Sequence, residues 1–153
     1  MMTFTRLLLI VCRFLIGTAL VFCAGGCKSS NGEQSALPAS GRAEVNLSAR
    51  TQPKDIHAVA QDFFREREYI EGESTHGYEF VFDKPMKRNR SRKALRVRLR
   101  LNKLPDGSWQ LTGTPLGVES WRSELESETV LPQGASQIQG FLIEIKNRLD
   151  SAR

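Results

Sequence analysis

Between residues 94 and 103 the chain reads ALRVRLRLNK, so that Leu95, Val97, Leu99 and Leu101 alternate with Arg96, Arg98 and Arg100. A helix cannot use such a segment. At 3.6 residues per turn, leucines and arginines would both spread around the axis. In a strand the side-chain period is two, so one face collects the leucines and the other the arginines. A slip of one residue would exchange the two sets, so burial alone fixes which way the strand faces. The chain must therefore build a sheet with one covered face and one face that presents guanidinium groups.

The neighbouring segments supply the partners. Tyr78, Phe80 and Phe82 alternate with Glu79, Val81 and Asp83, which predicts a second strand ended by Lys84-Pro85. Pro105-Asp106-Gly107 is a turn, and Trp109-Gln110-Leu111-Thr112 begins a third strand that closes a hairpin. Gly113, Pro115 and Gly117 interrupt it, and Val118 to Val130 is ambiguous, with a fourth strand one reading. Two amphipathic helices can cover the leucine face. Ile56, Val59, Ala60 and Phe63 recur at helical spacing within Asp55 to Glu71, with Phe64, Tyr69 and Ile70 extending the face and Gly72 as a stop. Ile138, Phe141, Leu142, Ile145 and Leu149 define a C-terminal helix with Ser136 as a candidate cap. The expected fold is α+β: a two-layer sandwich, an antiparallel sheet of three or four strands with N- and C-terminal helices packed on one face. It forms one small domain over residues 54–153, large enough for a single core without staples.

Lys28 to Pro53 is rich in Ser, Gly, Asn, Gln and Ala with few large apolar residues, which predicts a flexible tether. Within it, Val45 and Leu47 could form a short edge strand. Further upstream, Arg6 and Arg13 are the only charges in the first 26 residues, and Phe14 to Phe22 is an apolar run of nine. A basic start, a short apolar core and small residues before a cysteine mark a secretory signal. A spanning helix needs about 20 apolar residues, which Arg13 interrupts.

Ala24-Gly25-Gly26-Cys27 resembles the bacterial lipobox, in which small residues precede the cysteine that becomes the mature N-terminus. The resemblance implies a diacylglyceryl group on Cys27, acylation such as palmitate on its new amine, and a lipid anchor in the cell envelope, facing the periplasm. No Asp follows Cys27, so the familiar inner-membrane retention signal is absent and outer-membrane residence is expected where two membranes exist. The chain then divides into a signal peptide (1–26), a lipidated cysteine with a flexible tether (27–53) and the α+β domain (54–153). Cys12, Cys23 and Cys27 are its three cysteines, so the domain has no thiol for a disulfide, a metal site or a nucleophile.

Charge directs the search for function. Lys84 to Lys103 holds ten basic residues and no acidic one, within a mature chain whose net charge falls to +3 once the two signal arginines are removed. Arg88, Arg90, Arg92, Arg96, Arg98 and Arg100 share parity and are candidates for binding an anion or a partner. Three readings stand: a solvated face paired with Glu79, Asp83, Glu124, Glu126 or Glu128; a surface for anionic lipid or glycan; and an acidic protein partner. Nucleic acid is not expected for an exported chain. Trp121, beside Gly117 and Arg122, is either a sheet residue at the core edge or a partner anchor. His57 and His76 belong to no ligand motif, and Glu71, Glu73 and His76 form only a loose acidic cluster. No nucleophile elbow, phosphate loop or dinucleotide fingerprint is present, so neither catalytic residue, metal nor cofactor is assigned. The expectation is a non-enzymatic envelope lipoprotein that acts as a binding or scaffold module for a protein partner. The alternative is a binder of anionic lipid or glycan through residues 84–103.

Overall fold

The structure is a computed structural model that describes residues 36–74, 76–86 and 92–152. The signal peptide, Cys27, Arg88 and Arg90 lie outside these residues. The elements in chain order are β1 (Ala43–Leu47), α1 (Pro53–Arg65), β2 (Ile70–Glu71), β3 (Glu79–Pro85), β4 (Ala94–Lys103), β5 (Trp109–Glu119), β6 (Ser127–Val130), a 3-10 turn (Pro132–Gly134) and α2 (Ala135–Ser151). The class is α+β. Every strand pair is antiparallel, in the order β1-β5-β4-β3-β2, with β6 also on β5. Because β4 occupies one whole edge of β5, the other edge is divided: residues 109–113 pair with β1 and residues 116–119 with β6.

The alternation in β4 resolves as expected from Val97 to Leu101, whereas Leu95, at the strand's start, is exposed and Ala94 beside it is buried. Val97, Leu99 and Leu101 are buried with Phe82, Trp109 and Leu111 under both helices. The helices contribute Ile56, Ala60, Phe63 and Phe64 from α1 and Ile138, Leu142, Ile145 and Leu149 from α2. Full burial contributes about 1.5–3 kcal/mol per large apolar side chain, so this layer carries the fold. Gly113 sits where α2 crosses β5. A Cβ there would collide with Ile138 and approach Leu99 to 3.3 Å. The glycine that breaks the strand pattern is what lets the helix lie close.

Four expectations need correction. The sheet has more strands than three or four, since β1, β2 and β6 join it. The tether does not extend to residue 53: Ala43–Leu47 is a strand whose Ala43 and Leu47 enter the core. The first helix ends at Arg65 rather than Glu71. Its stop is a Schellman motif, with Tyr69 N–H bonded to Phe64 O, Glu68 N–H to Arg65 O, and Glu68 at φ 64°, where Gly72 was expected to serve. Tyr69 packs on Phe64, the usual apolar contact of that motif. Finally, Ser136 lies inside the first turn of α2, whose N-cap position is Gly134.

β1 is an edge strand, and edges invite unwanted pairing. Here the buried Gln139 of α2 takes the place of a neighbour. Its Oε1 accepts from Glu44 N–H at 2.8 Å and its Nε2 donates to Glu44 O at 3.1 Å. One amide side chain thus satisfies both outward backbone groups of Glu44.

Candidate functional site

The helix-free face of the sheet carries the even-numbered residues of β4 and β5 and the odd-numbered residues of β3, as the cross-strand register dictates. It therefore brings Arg96, Arg98 and Arg100 beside Asp83, Val81 and Glu79 respectively. Arg96 is the centre. Its Nε and Nη2 donate to the two oxygens of Asp83 at 2.6 and 2.8 Å, a bidentate fork. Its Nη1 donates to Glu126 at 2.7 Å and to Glu128 at 2.5 Å. The side chain is only 12% exposed. The Asp83 bond holds the guanidinium pKa above its ordinary value; burial opposes this, and Glu128 and Glu126 reinforce it.

Arg98 donates from Nη2 to both oxygens of Glu128, at 2.8 and 2.7 Å. Its buried Nε lies 3.5 Å from Glu79 and makes no hydrogen bond. Arg100 donates to Glu79 at 2.8 Å and is half-exposed. Burial pushes the Glu128 carboxyl up, but the bonds from Arg96 and Arg98 more than offset it and leave it below its ordinary value. Three guanidinium groups thus meet four carboxylates: Glu79, Asp83, Glu126 and Glu128. The stripe that looks strongly basic in sequence is locally neutralised.

A strap over residues 120–126 supplies part of this acidic complement. Trp121 donates its indole N–H to Asp83 at 2.8 Å, and its backbone N–H bonds to Arg92 O at 2.7 Å. The Arg122 guanidinium lies 4.5 Å from the indole centroid. Ser120 and Arg122 both take left-handed backbone, at φ 54° and 57°, which costs an L-residue about 1–2 kcal/mol. The bond from Arg122 N–H to Glu126 at 2.7 Å and that from the Ser123 hydroxyl to Ser120 O at 2.6 Å hold the turn closed. Trp121 stands in a turn rather than in a strand and is partly exposed. It fastens the strap to Asp83.

Val81, Ala94, Leu116 and Val118 on this face are buried, and the part beside them toward β1 is open. A groove of about 660 Å³ lies between β1 and β6, bordered by Arg42, Arg98 and Arg100, floored by Thr112 and Thr114, with Val130 at one end. Sequence reasoning missed Arg42 and the threonines. Arg42 stood in the expected tether, and threonines on a polar strand face carry no motif. Of the six arginines singled out from sequence, Arg92 is exposed beside the strap, while Arg96, Arg98 and Arg100 come together. Among the described residues no set of three or more His, Cys, Asp and Glu is grouped to hold a metal ion. Glu71 instead accepts from the His57 ring and from Gln61, at 2.6 and 2.7 Å, pinning α1 to β2. Among the described residues, no helix is long and apolar enough to cross a membrane. No family model, no curated protein and no solved structure matches this chain.

Proposed function

We propose that this chain is a lipid-anchored envelope protein, attached through Cys27, whose folded unit is a non-enzymatic binding module for a protein partner. The observation that carries the reading is the groove between β1 and β6, with guanidinium, hydroxyl and apolar groups at its surface, on the face of the sheet opposite the layer where α1 and α2 pack. A sheet face left open, with hydroxyl and guanidinium groups at its surface, suits an interface in which a polar rim sets orientation. Anionic lipid or glycan receives less support. Such polymers need several unpaired cations acting together, at on the order of 1 kcal/mol each near a charged surface. Asp83, Glu126, Glu128 and Glu79 already occupy Arg96 and Arg98 and engage Arg100.

The test is photo-crosslinking in cells from Thr114, an exposed residue on the groove floor, in the full-length lipidated protein. Capture of one defined envelope protein is expected. Capture of lipid or glycan alone would favour the alternative. Absence of any adduct from a correctly folded variant would remove the groove as the interface.

A further inference from the structure

We infer that the groove between β1 and β6 takes an extended acidic peptide segment of the partner, with one Asp or Glu carboxylate held between Arg42 and Arg100. The inference rests on the protein-binding reading and names the chemistry of the partner. It starts from which cations on this face are still available. Arg96 spends all three nitrogens on carboxylates, and Arg98 is chelated by Glu128. Arg100 is the most open of the three: it gives Nη2 to Glu79, and its side chain is 56% exposed against 33% for Arg98. Arg42 is exposed, and its guanidinium makes no hydrogen bond or ion pair among the described residues.

Register places these two groups around one spot. Ala43 pairs with Gly113, so Arg42 precedes β1 at the level of Thr114, while Arg100 pairs with Thr112. They stand two strands and two residues apart, about 12 Å between α-carbons at ordinary sheet spacing. Two long side chains that border the same groove can close that gap on a single carboxylate. Thr112 and Thr114 lie between them on β5; the Thr112 hydroxyl donates to Arg100 O at 3.3 Å, and the exposed Thr114 hydroxyl can donate to an anion. Paired forks on one carboxylate are the arrangement for which arginine is suited.

The same groove argues against a denser anion. Glu44 borders it, and Glu79 and Glu128 lie behind Arg100 and Arg98. A polyanion would meet these carboxylates along its length. A peptide with one acidic residue meets fewer of them, chiefly Glu44, which stands opposite Thr112. Val130, more than half exposed at the β6 end, offers an apolar contact beside the charged one.

The probe is a displayed library of random dodecapeptides, selected against full-length lipidated protein in detergent micelles. Enriched peptides are then measured against wild type, Arg42→Gln, Arg100→Gln, Thr114→Trp and Lys54→Gln. Thr114→Trp fills the groove, and Lys54→Gln makes the same charge change on α1. The expected peptides share an Asp or Glu and lose binding to Thr114→Trp. Each groove arginine substitution weakens them about tenfold, the scale of one charge-assisted hydrogen bond. Changing the peptide's acidic residue to its amide has the same effect, and Lys54→Gln has none. Peptides blocked by Thr114→Trp but indifferent to both arginines, or lacking any acidic residue, would overturn the carboxylate clamp and leave the groove as the binding site. Peptides indifferent to Thr114→Trp, or no enrichment at all, would overturn both.

Discussion

Replacing Arg96 by Gln tests whether the charged face is a structural network. The guanidinium makes four short bonds to three carboxylates and is nearly excluded from water. Glutamine can restore one of them at most. Removing one partner of a buried ion pair costs about 3–5 kcal/mol, because the other charge remains without compensation. Asp83 bears that cost, with a side chain only 5% exposed. Two features place the value at the low end. Asp83 keeps the Trp121 indole N–H, and Glu126 and Glu128, at 24% and 27% exposure, can turn toward water. We expect a loss of about 3 kcal/mol, a large share of the roughly 5–15 kcal/mol that stabilises a domain of this size. The assay is urea unfolding of residues 32–153 at neutral pH, followed by tryptophan fluorescence. Adding Asp83→Asn to Arg96→Gln removes the stranded anion, so the double variant should be less destabilised than the two single losses combined, by about 2 kcal/mol. A loss under about 1 kcal/mol for Arg96→Gln, or strict additivity in the cycle, would refute the network.

Three further outcomes follow from particular contacts. The Glu128 carboxyl titrates below its ordinary value of 4.5. Its contribution to stability is therefore complete above about pH 4.5 and disappears as the pH falls through the folded value. Arg96→Gln should lose less stability between neutral and acid pH than wild type, read from urea midpoints across that range. Glu66 and Glu119, lowered by Arg148 and Lys93, are unchanged in both proteins and cancel in the comparison. Gly113→Val places a branched side chain against Ile138 and should cost at least 1–3 kcal/mol, roughly the penalty of overpacking, in the same unfolding assay. Gln139→Leu leaves Glu44 N–H and C=O without partners. It should cost about 1–3 kcal/mol and speed hydrogen exchange at Glu44 well beyond that of β4 amides.

How far the sequence could be read depended on whether the determining contacts were local. Arg96, Arg98 and Arg100 alternate with leucines inside one segment, so their common face was legible, and so was the helical spacing of Ile138, Leu142 and Ile145. β1 was not, beyond the hint in Val45 and Leu47. Its five residues gain their pairing from β5, far along the chain, and their outer bonds from Gln139, and nothing in AEVNL announces either. The end of α1 was hidden because a Schellman stop usually uses glycine, and here Glu68 adopts the left-handed turn.

The same logic explains why the count of basic residues misleads. Lys84 to Lys103 contains no acidic residue, yet every carboxylate that meets Arg96, Arg98 and Arg100 comes from another element: β3, the strap and β6. Charge in sequence sums over neighbours along the chain, whereas the field at a surface sums over neighbours in space. Arg42 is the counterpart. It stands between Gly41 and Ala43 in a segment with no basic run, and the fold places it beside an open groove with no carboxylate partner among the described residues. Arg96 and Arg98 are thus committed to holding β3, β4, β6 and the strap together. Among the described residues that border the groove, the cations open to a partner are Arg42, which composition does not single out, and the exposed half of Arg100.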